Sequence, residues 1–156
     1  MRLSDWVGQH RSELIEVVPT AAAIGALLAV LEREIRDAAG VPSDDGRLEH
    51  AFAACLAVGR AALAASGYRL RSGASGHHYL ALESLILTLK ISEDELDQLQ
   101  GYRRMRSRAM YEQVGIVTAT EARMALATAH GLQERLSTWL AQEHLDLTGD
   151  SPCSPA

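Results

Sequence analysis

Residues 92–113, SEDELDQLQGYRRMRSRAMYEQ, carry the clearest fold signal in the chain. Ser92, followed three residues later by Glu95, forms a capping box, which marks the first turn of a helix. The acidic residues of this turn also suit the positive end of the helix dipole. Leu96 and Leu99 then repeat at helical spacing, so the whole stretch is predicted to be one long helix.

The flanking sequence predicts further helices on both sides of this stretch. Thr118 and Glu121 form a second capping box, which opens a closing helix that ends near His144. Upstream, three more stretches show apolar residues at helical spacing between Gly and Pro breakers, namely 20–39, 45–66 and 77–90. Gly67 is placed to adopt a left-handed conformation after the second of them. Residues 68–76 have the Gly/Ser-rich composition of a loop.

The composition agrees with a helical protein. Of 156 residues, 47% are hydrophobic but only 4% are aromatic, and Ala and Leu dominate. Ala and Leu favour helices, whereas strands prefer the scarce β-branched and aromatic types. We predict an all-α fold, an antiparallel bundle of four to five helices. Residues 1–18 are expected to form a short helix or arm, residues 19–145 the bundle, and residues 146–156 a disordered tail.

The net charge, the absence of known sequence motifs and the hydropathy exclude several classes of function. The net charge of −5 gives no overall basic field that would attract nucleic acid. The sequence shows no phosphate-binding loop, no dinucleotide fingerprint and no zinc-ligand spacing, which predicts no cofactor and no metal. The longest apolar run, residues 21–31, is shorter than a membrane span, and the start lacks the layout of a signal peptide. We therefore expect a soluble, cytoplasmic protein without a membrane partner.

Four arginines, at positions 103, 104, 106 and 108, form a cluster that ordinary helix packing does not explain. At about 100° per residue, Arg106 lies roughly 20° from Leu99, and Arg103 is near the same line. The apolar stripe therefore continues through guanidinium groups, whereas a solvated charge run would put them on the opposite face. An inward Arg106 is expected either to pair with an Asp or Glu of a neighbouring helix or to meet an anion.

The stretch Arg106-Ser107-Arg108-Ala109-Met110-Tyr111 resembles the motif of the HEPN superfamily, small helical bundles of bacterial toxin–antitoxin, antiphage and CRISPR-associated systems. Catalytic HEPN members are metal-independent ribonucleases with an Arg-x(4–6)-His motif, in which a polar residue often follows the Arg. By this resemblance Arg106 stands for the motif Arg, Ser107 for the polar residue and Tyr111 for the His. The resemblance extends over roughly residues 47–140 and implies a homodimer or a subunit of a larger complex. RNA, a nucleotidyltransferase or an antitoxin is the partner that it implies.

Tyr111 departs from the family pattern. A phenol with a pKa near 10 is a poor base at neutral pH, and a continuous helix would separate Arg106 from Tyr111 by about 140°. We therefore predict an RNA-, anion- or partner-binding subunit with weak or no catalysis. The alternative is an active metal-independent endoribonuclease that uses Arg106 and Tyr111, with or without an added imidazole from His77 or His78.

Four more residues extend the predicted anion-binding site beyond Arg103. His77 and His78 are adjacent at a helix start and point in different directions, so they do not form a two-ligand metal site. We expect them either to have a capping or surface role or to supply the imidazole that the Arg106 site lacks. Arg69 and Arg71, in the loop before them, would extend a positive rim.

Overall fold

The structure is a computed structural model that describes residues 1–74 and 76–149. Within these residues the bundle prediction is confirmed, because helices make up nearly all of the regular structure. In chain order the elements are α1 (Leu3–Gln9), β1 (Leu14–Glu16), α2 (Ala21–Gly40), α3 (Asp44–Ala65), β2 (Tyr68–Leu70), α4 (His77–Thr88), α5 (Glu93–Tyr111), α6 (Ala119–Glu143) and a 3-10 turn (Leu145–Leu147).

Both predicted capping boxes are present. The Ser92 hydroxyl accepts the backbone N–H of Glu95 at 3.1 Å, and the Glu95 carboxylate accepts that of Ser92 at 2.7 Å. Thr118 and Glu121 exchange the equivalent bonds at 3.1 and 2.9 Å. Each box satisfies two backbone donors that the first helical turn leaves open. The sequence therefore located the starts of α5 and α6.

The central element of the bundle is α3, which contacts α2, α4, α5 and α6. Its three-residue connection to α2 makes these two helices antiparallel neighbours. Small residues let α4 approach closely: a Cβ added to Gly59 would collide with the carbonyl oxygen of Ala81. From Leu48 onward, thirteen of the eighteen residues of α3 are buried, and Phe52 is the largest of them.

The central helix is also long and apolar enough to cross a membrane, judged by length and composition alone. Within the bundle, 72% of its most apolar window is buried. The neighbouring helices therefore cover the apolar surface of α3, which is the situation of a core helix in a soluble domain. A location in the cytoplasm stays a prediction.

Residues 1–18 contain the helix α1 and the strand β1. Trp6 and Leu14 are each 4% exposed and pack with Leu63 and Leu80 in a small second core. The prediction of a loop from residue 68 onward is wrong for its first three residues. They form β2, which pairs antiparallel with β1 and places Leu14 opposite Leu70. A three-residue strand has no periodic signal of its own, because its partner lies more than fifty residues away.

The predicted tail begins one turn too early. The 3-10 turn contacts α2 and α6, and its Leu147 is 6% exposed. Burial of this leucine extends the packed part of the chain beyond residue 145. Residues 150–156, where we predict disorder, lie outside the described residues.

Candidate functional site

A surface groove of about 210 Å³ lies between the first turn of α4 and the second half of α5. Helix packing brings together residues that are about thirty positions apart in the chain. Five of the predicted site residues line this groove, which we call the Arg106 groove. Its lining residues are Gly76, His77, His78, Tyr79, Arg103, Arg106 and Ser107.

Arg106 faces inward, as its position on the stripe predicts, and pairs with Glu49 of α3. Its Nη2 donates to one carboxylate oxygen at 2.8 Å, and its Nε lies 2.7 Å from the other, out of line for a hydrogen bond. The guanidinium carbon is also 5.7 Å from the centre of the Phe52 ring, a cation–π distance. Of the two alternatives for Arg106, the structure therefore shows the ion pair. The same guanidinium still lines the groove.

Arg103 supplies the uncompensated charge of the groove. Its Nε donates to the side-chain oxygen of Gln100 at 2.7 Å, and its guanidinium carbon is 6.0 Å from the ring centre of Tyr79. Within residues 1–74 and 76–149, no carboxylate forms an ion pair with it. An anion that enters the groove would therefore meet Arg103 without displacing an acidic side chain.

The two histidines lie against each other, with ring centres 4.1 Å apart. His77 Nδ1 is 3.1 Å from the carbonyl oxygen of Ala74. Because a carbonyl only accepts, this bond places a proton on Nδ1 and leaves Nε2 as the acceptor of the neutral ring. Burial lowers the pKa of His78 from 6.5 to about 4, and the charges of His77 and Arg106 add to the effect. His78 is therefore neutral at pH 7.

The structure does not bring Tyr111 to the groove. It is the last residue of α5, it is 77% exposed, and it is not among the lining residues. Because α5 stays helical from Arg106 to Tyr111, the two side chains diverge as the helical geometry requires. The third predicted member, Ser107, is exposed on the groove wall.

Arg69 and Arg71 also lie apart from Arg106. They border a separate cavity of about 330 Å³ between α2, α3 and β2. His77 lines both this cavity and the Arg106 groove. The predicted anion-binding residues are thus divided between two neighbouring concave surfaces that share one histidine.

Among the residues that the structure describes, one group of side chains could hold a metal ion. Glu34, Asp37 and His50 offer ligand atoms that all lie within 4.8 Å of one another, where α2 packs on α3. In this structure Glu34 accepts from the His50 ring at 2.8 Å and pairs with Arg33 at 2.7 Å. Burial raises the pKa of Glu34, but bonds to His50 and Arg33 outweigh it, so the net pKa is lowered. We assign this group a structural role that joins α2 to α3.

Glu49 is the site residue that the sequence did not reveal. It lies three residues before Phe52, at the edge of the apolar stripe of α3, where a carboxylate usually faces solvent. Its position opposite Arg106 depends on how α3 and α5 cross. The Glu34–His50 contact was missed for the same reason, since its members belong to two helices.

The chain matches no protein-family model, no curated protein and no solved structure. The structure establishes the class of fold, an all-α helical bundle, and shows a partly cationic groove on its surface. The resemblance to HEPN proteins rests on the residues quoted from the sequence and stays a hypothesis.

Proposed function

We propose that this protein binds RNA, or another anion with a phosphate group, in the Arg106 groove. The observation that carries the proposal is the convergence of Arg103, Arg106 and the rings of His77 and His78 on one surface groove. Guanidinium groups form charge-assisted hydrogen bonds to phosphate, and such contacts dominate nucleic-acid affinity. With a net charge of −5, attraction depends on this local charge rather than on the whole molecule.

Two features favour binding over efficient catalysis. The carboxylate of Glu49 already pairs with the charge of Arg106, which reduces the ability of Arg106 to stabilise negative charge in a transition state. Tyr111, which stands where HEPN ribonucleases carry the catalytic His, lies outside the groove. A binding subunit, in a bacterial toxin–antitoxin or defence setting, fits both features.

The test is fluorescence anisotropy of a labelled single-stranded RNA in EDTA at low salt. Arg103→Glu is expected to weaken binding at least about tenfold, the worth of one charge-assisted contact. Arg104→Glu is the matched control, because it makes the same change on the next residue, which does not line the groove. Equal losses in both variants, or no binding by the wild type, would rule out the groove as the site.

A second candidate function, a metal-independent endoribonuclease, is favoured by the two imidazoles beside Arg106. The bond from His77 Nδ1 to Ala74 orients this ring and leaves Nε2 free to accept a proton from a ribose hydroxyl. His77 would then replace Tyr111 as the acid–base group, and Arg106 would stabilise phosphate charge.

Cleavage of a total-RNA and tRNA mixture in EDTA tests this candidate. Arg106→Ala and His77→Ala are expected to abolish cleavage, whereas Tyr111→Phe is expected to leave it unchanged. Intact RNA at high concentration of the wild-type protein would reject catalysis and leave RNA binding as the function. Loss of cleavage in Tyr111→Phe would instead return the role to the phenol.

An exposed apolar surface at the end of α5 supports an additional protein contact. Met110, Tyr111 and Val114 are 49%, 77% and 90% exposed and lie within five positions of one another. We propose that this surface joins two copies of the chain, as the HEPN resemblance implies; a nucleotidyltransferase or an antitoxin is the other proposed partner. In analytical ultracentrifugation Val114→Asp should dissociate the dimer, whereas Val18→Asp, at another exposed valine, should not. A monomeric wild type would refute the dimer.

A further inference from the structure

The cavity of about 330 Å³ beside β2 has an apolar interior. Leu27 of α2, Leu63 and Ala64 of α3, and Leu70 of β2 line it. These side chains come from three elements, so the cavity depends on the packing of β2 against α3, beside α2. Its volume is at the small end of the range typical of ligand sites. We call it the β2 pocket.

Three exposed arginines line the β2 pocket. Arg60 projects from α3, Arg69 belongs to β2, and Arg71 follows β2 in the loop toward α4. All three are exposed, and in the described parts of the chain none forms an ion pair with an acidic side chain. In contrast, Arg47, Arg106 and Arg135 each have a carboxylate partner.

The three arginines concentrate positive charge at one place in a chain whose net charge is −5. Three guanidinium groups that line one pocket repel one another, and acidic residues outnumber basic ones by 20 to 15 in the chain. An anionic group at the opening would relieve that repulsion and accept several charge-assisted hydrogen bonds. An apolar group attached to it would gain burial against the leucines.

We propose that the β2 pocket binds a small amphiphilic anion, with an aliphatic body inside and a carboxylate or phosphate head among the three arginines. The aliphatic body follows from the lining: among the described residues that line the pocket, His77 alone has a ring, and the apolar side chains are those of Leu27, Leu63, Ala64 and Leu70. This site is separate from the RNA-binding proposal: the two surfaces share His77 but no arginine.

Isothermal titration calorimetry with matched probes tests the ligand class. Octanoate and octyl phosphate carry both parts, octanol lacks the charge, and acetate lacks the aliphatic body. The proposal expects the two amphiphilic anions to bind at least about tenfold more tightly than octanol or acetate. Equal binding of octanol and octanoate, or no binding of any probe, would overturn it. So would binding of AMP in preference to octanoate, since that result would assign the pocket to a nucleotide.

Substitutions in the β2 pocket test whether octanoate binds there. Arg69→Glu is expected to weaken octanoate binding about tenfold, and Arg123→Glu, the same change on a residue of α6 that does not line the pocket, should leave it unchanged. Ala64→Leu should also weaken it by filling the interior; thermal unfolding of each variant confirms that it folds. Arg103→Glu separates the two proposals, because it should lower RNA affinity and leave octanoate affinity intact. Unchanged octanoate binding in both Arg69→Glu and Ala64→Leu would refute this location.

Discussion

At the scale of single residues, the ion pair between Arg106 and Glu49 determines how much positive charge the groove presents. A charge that is already paired attracts phosphate less than a free one, and the pair is only partly buried, with Arg106 21% and Glu49 32% exposed. Glu49 therefore limits anion binding in the groove while it holds α5 against α3.

Removing the charge of Glu49 should strengthen RNA binding. Glu49→Gln keeps the shape and one acceptor but leaves Arg106 free to engage phosphate, so we expect a severalfold gain in affinity in the anisotropy assay. Stability should fall by about 1 kcal/mol in urea unfolding because a charged hydrogen bond is weakened. Glu112→Gln, at an exposed pair with Arg108, is the control with equal charge. Equal gains in both variants would contradict a specific effect of Glu49.

His78 should make the fold sensitive to mild acid. Its pKa is about 4 in the folded protein, against 6.5 as the ordinary value. The unfolded chain therefore binds more protons between about pH 6.5 and 4, and stability should fall as the pH is lowered through this range. Urea unfolding at pH 7 and pH 4.5 should show a smaller fall for His78→Gln than for the wild type. His130→Gln, on the exposed side of α6, should behave as the wild type; an unchanged fall in His78→Gln would exclude His78 as the cause.

At the scale of elements, the contact between α3 and α4 depends on the missing side chain of Gly59. Gly59→Ala would force a methyl group against the carbonyl oxygen of Ala81, which belongs to rigid backbone. We expect a loss of roughly 1–3 kcal/mol in chemical unfolding, the usual cost of overpacking.

Gly25→Ala is the matched control for this substitution. Gly25 lies inside α2, and an added Cβ would meet nothing within 4 Å. A stability gain of roughly 0.5–1 kcal/mol is expected there because alanine restricts the unfolded chain and favours the helix. If Gly59→Ala also stabilised the protein, the close approach of α3 and α4 would be refuted.

Helix ends and helix faces were the elements most accessible from sequence. Capping by Ser92 and Thr118 is a contact between residues three positions apart, so the sequence spacing contains all the information needed. The β1–β2 pairing joins residues 14–16 to residues 68–70. Neither three-residue segment contains a sequence pattern that reveals this non-local pairing. The residue propensities of 68–70, taken alone, therefore predict a loop.

At the scale of the whole molecule, the N-terminal segment is fastened to the bundle by Trp6. Its indole N–H donates to Glu83 of α4 at 2.8 Å, and its ring is buried beside Leu63 and Leu80. Trp6→Ala should therefore cost about 3–5 kcal/mol, as for other buried large-to-small aromatic substitutions. Circular dichroism during urea unfolding measures this loss.

Val18→Ala is the control, at an 84% exposed residue of the same segment, and should change stability by less than about 0.5 kcal/mol. Equal losses of stability in both variants would show that Trp6 does not hold the N-terminal segment against the bundle.

Some members of the predicted site are placed by local helix geometry, and others by the packing of one helix against another. Arg103, Arg106 and Ser107 line the same groove because they lie within about one turn of helix α5, so helical geometry alone brings them close together. His77 and His78 join them only through the packing of α4 beside α5. Tyr111 is five residues from Arg106 in sequence and still outside the groove, because an intact helix turns it away.

The sequence by itself determined the all-α class, the starts of the long helices and the inward direction of Arg106. Each of these depends on the 3.6-residue period or on contacts within one turn, which are local properties of the chain. The tertiary structure alone decided that Glu49 faces Arg106, that two histidines enter the same groove, and that three arginines line the β2 pocket. These contacts join residues far apart in the chain, and their geometry is set by how side chains of different helices pack together.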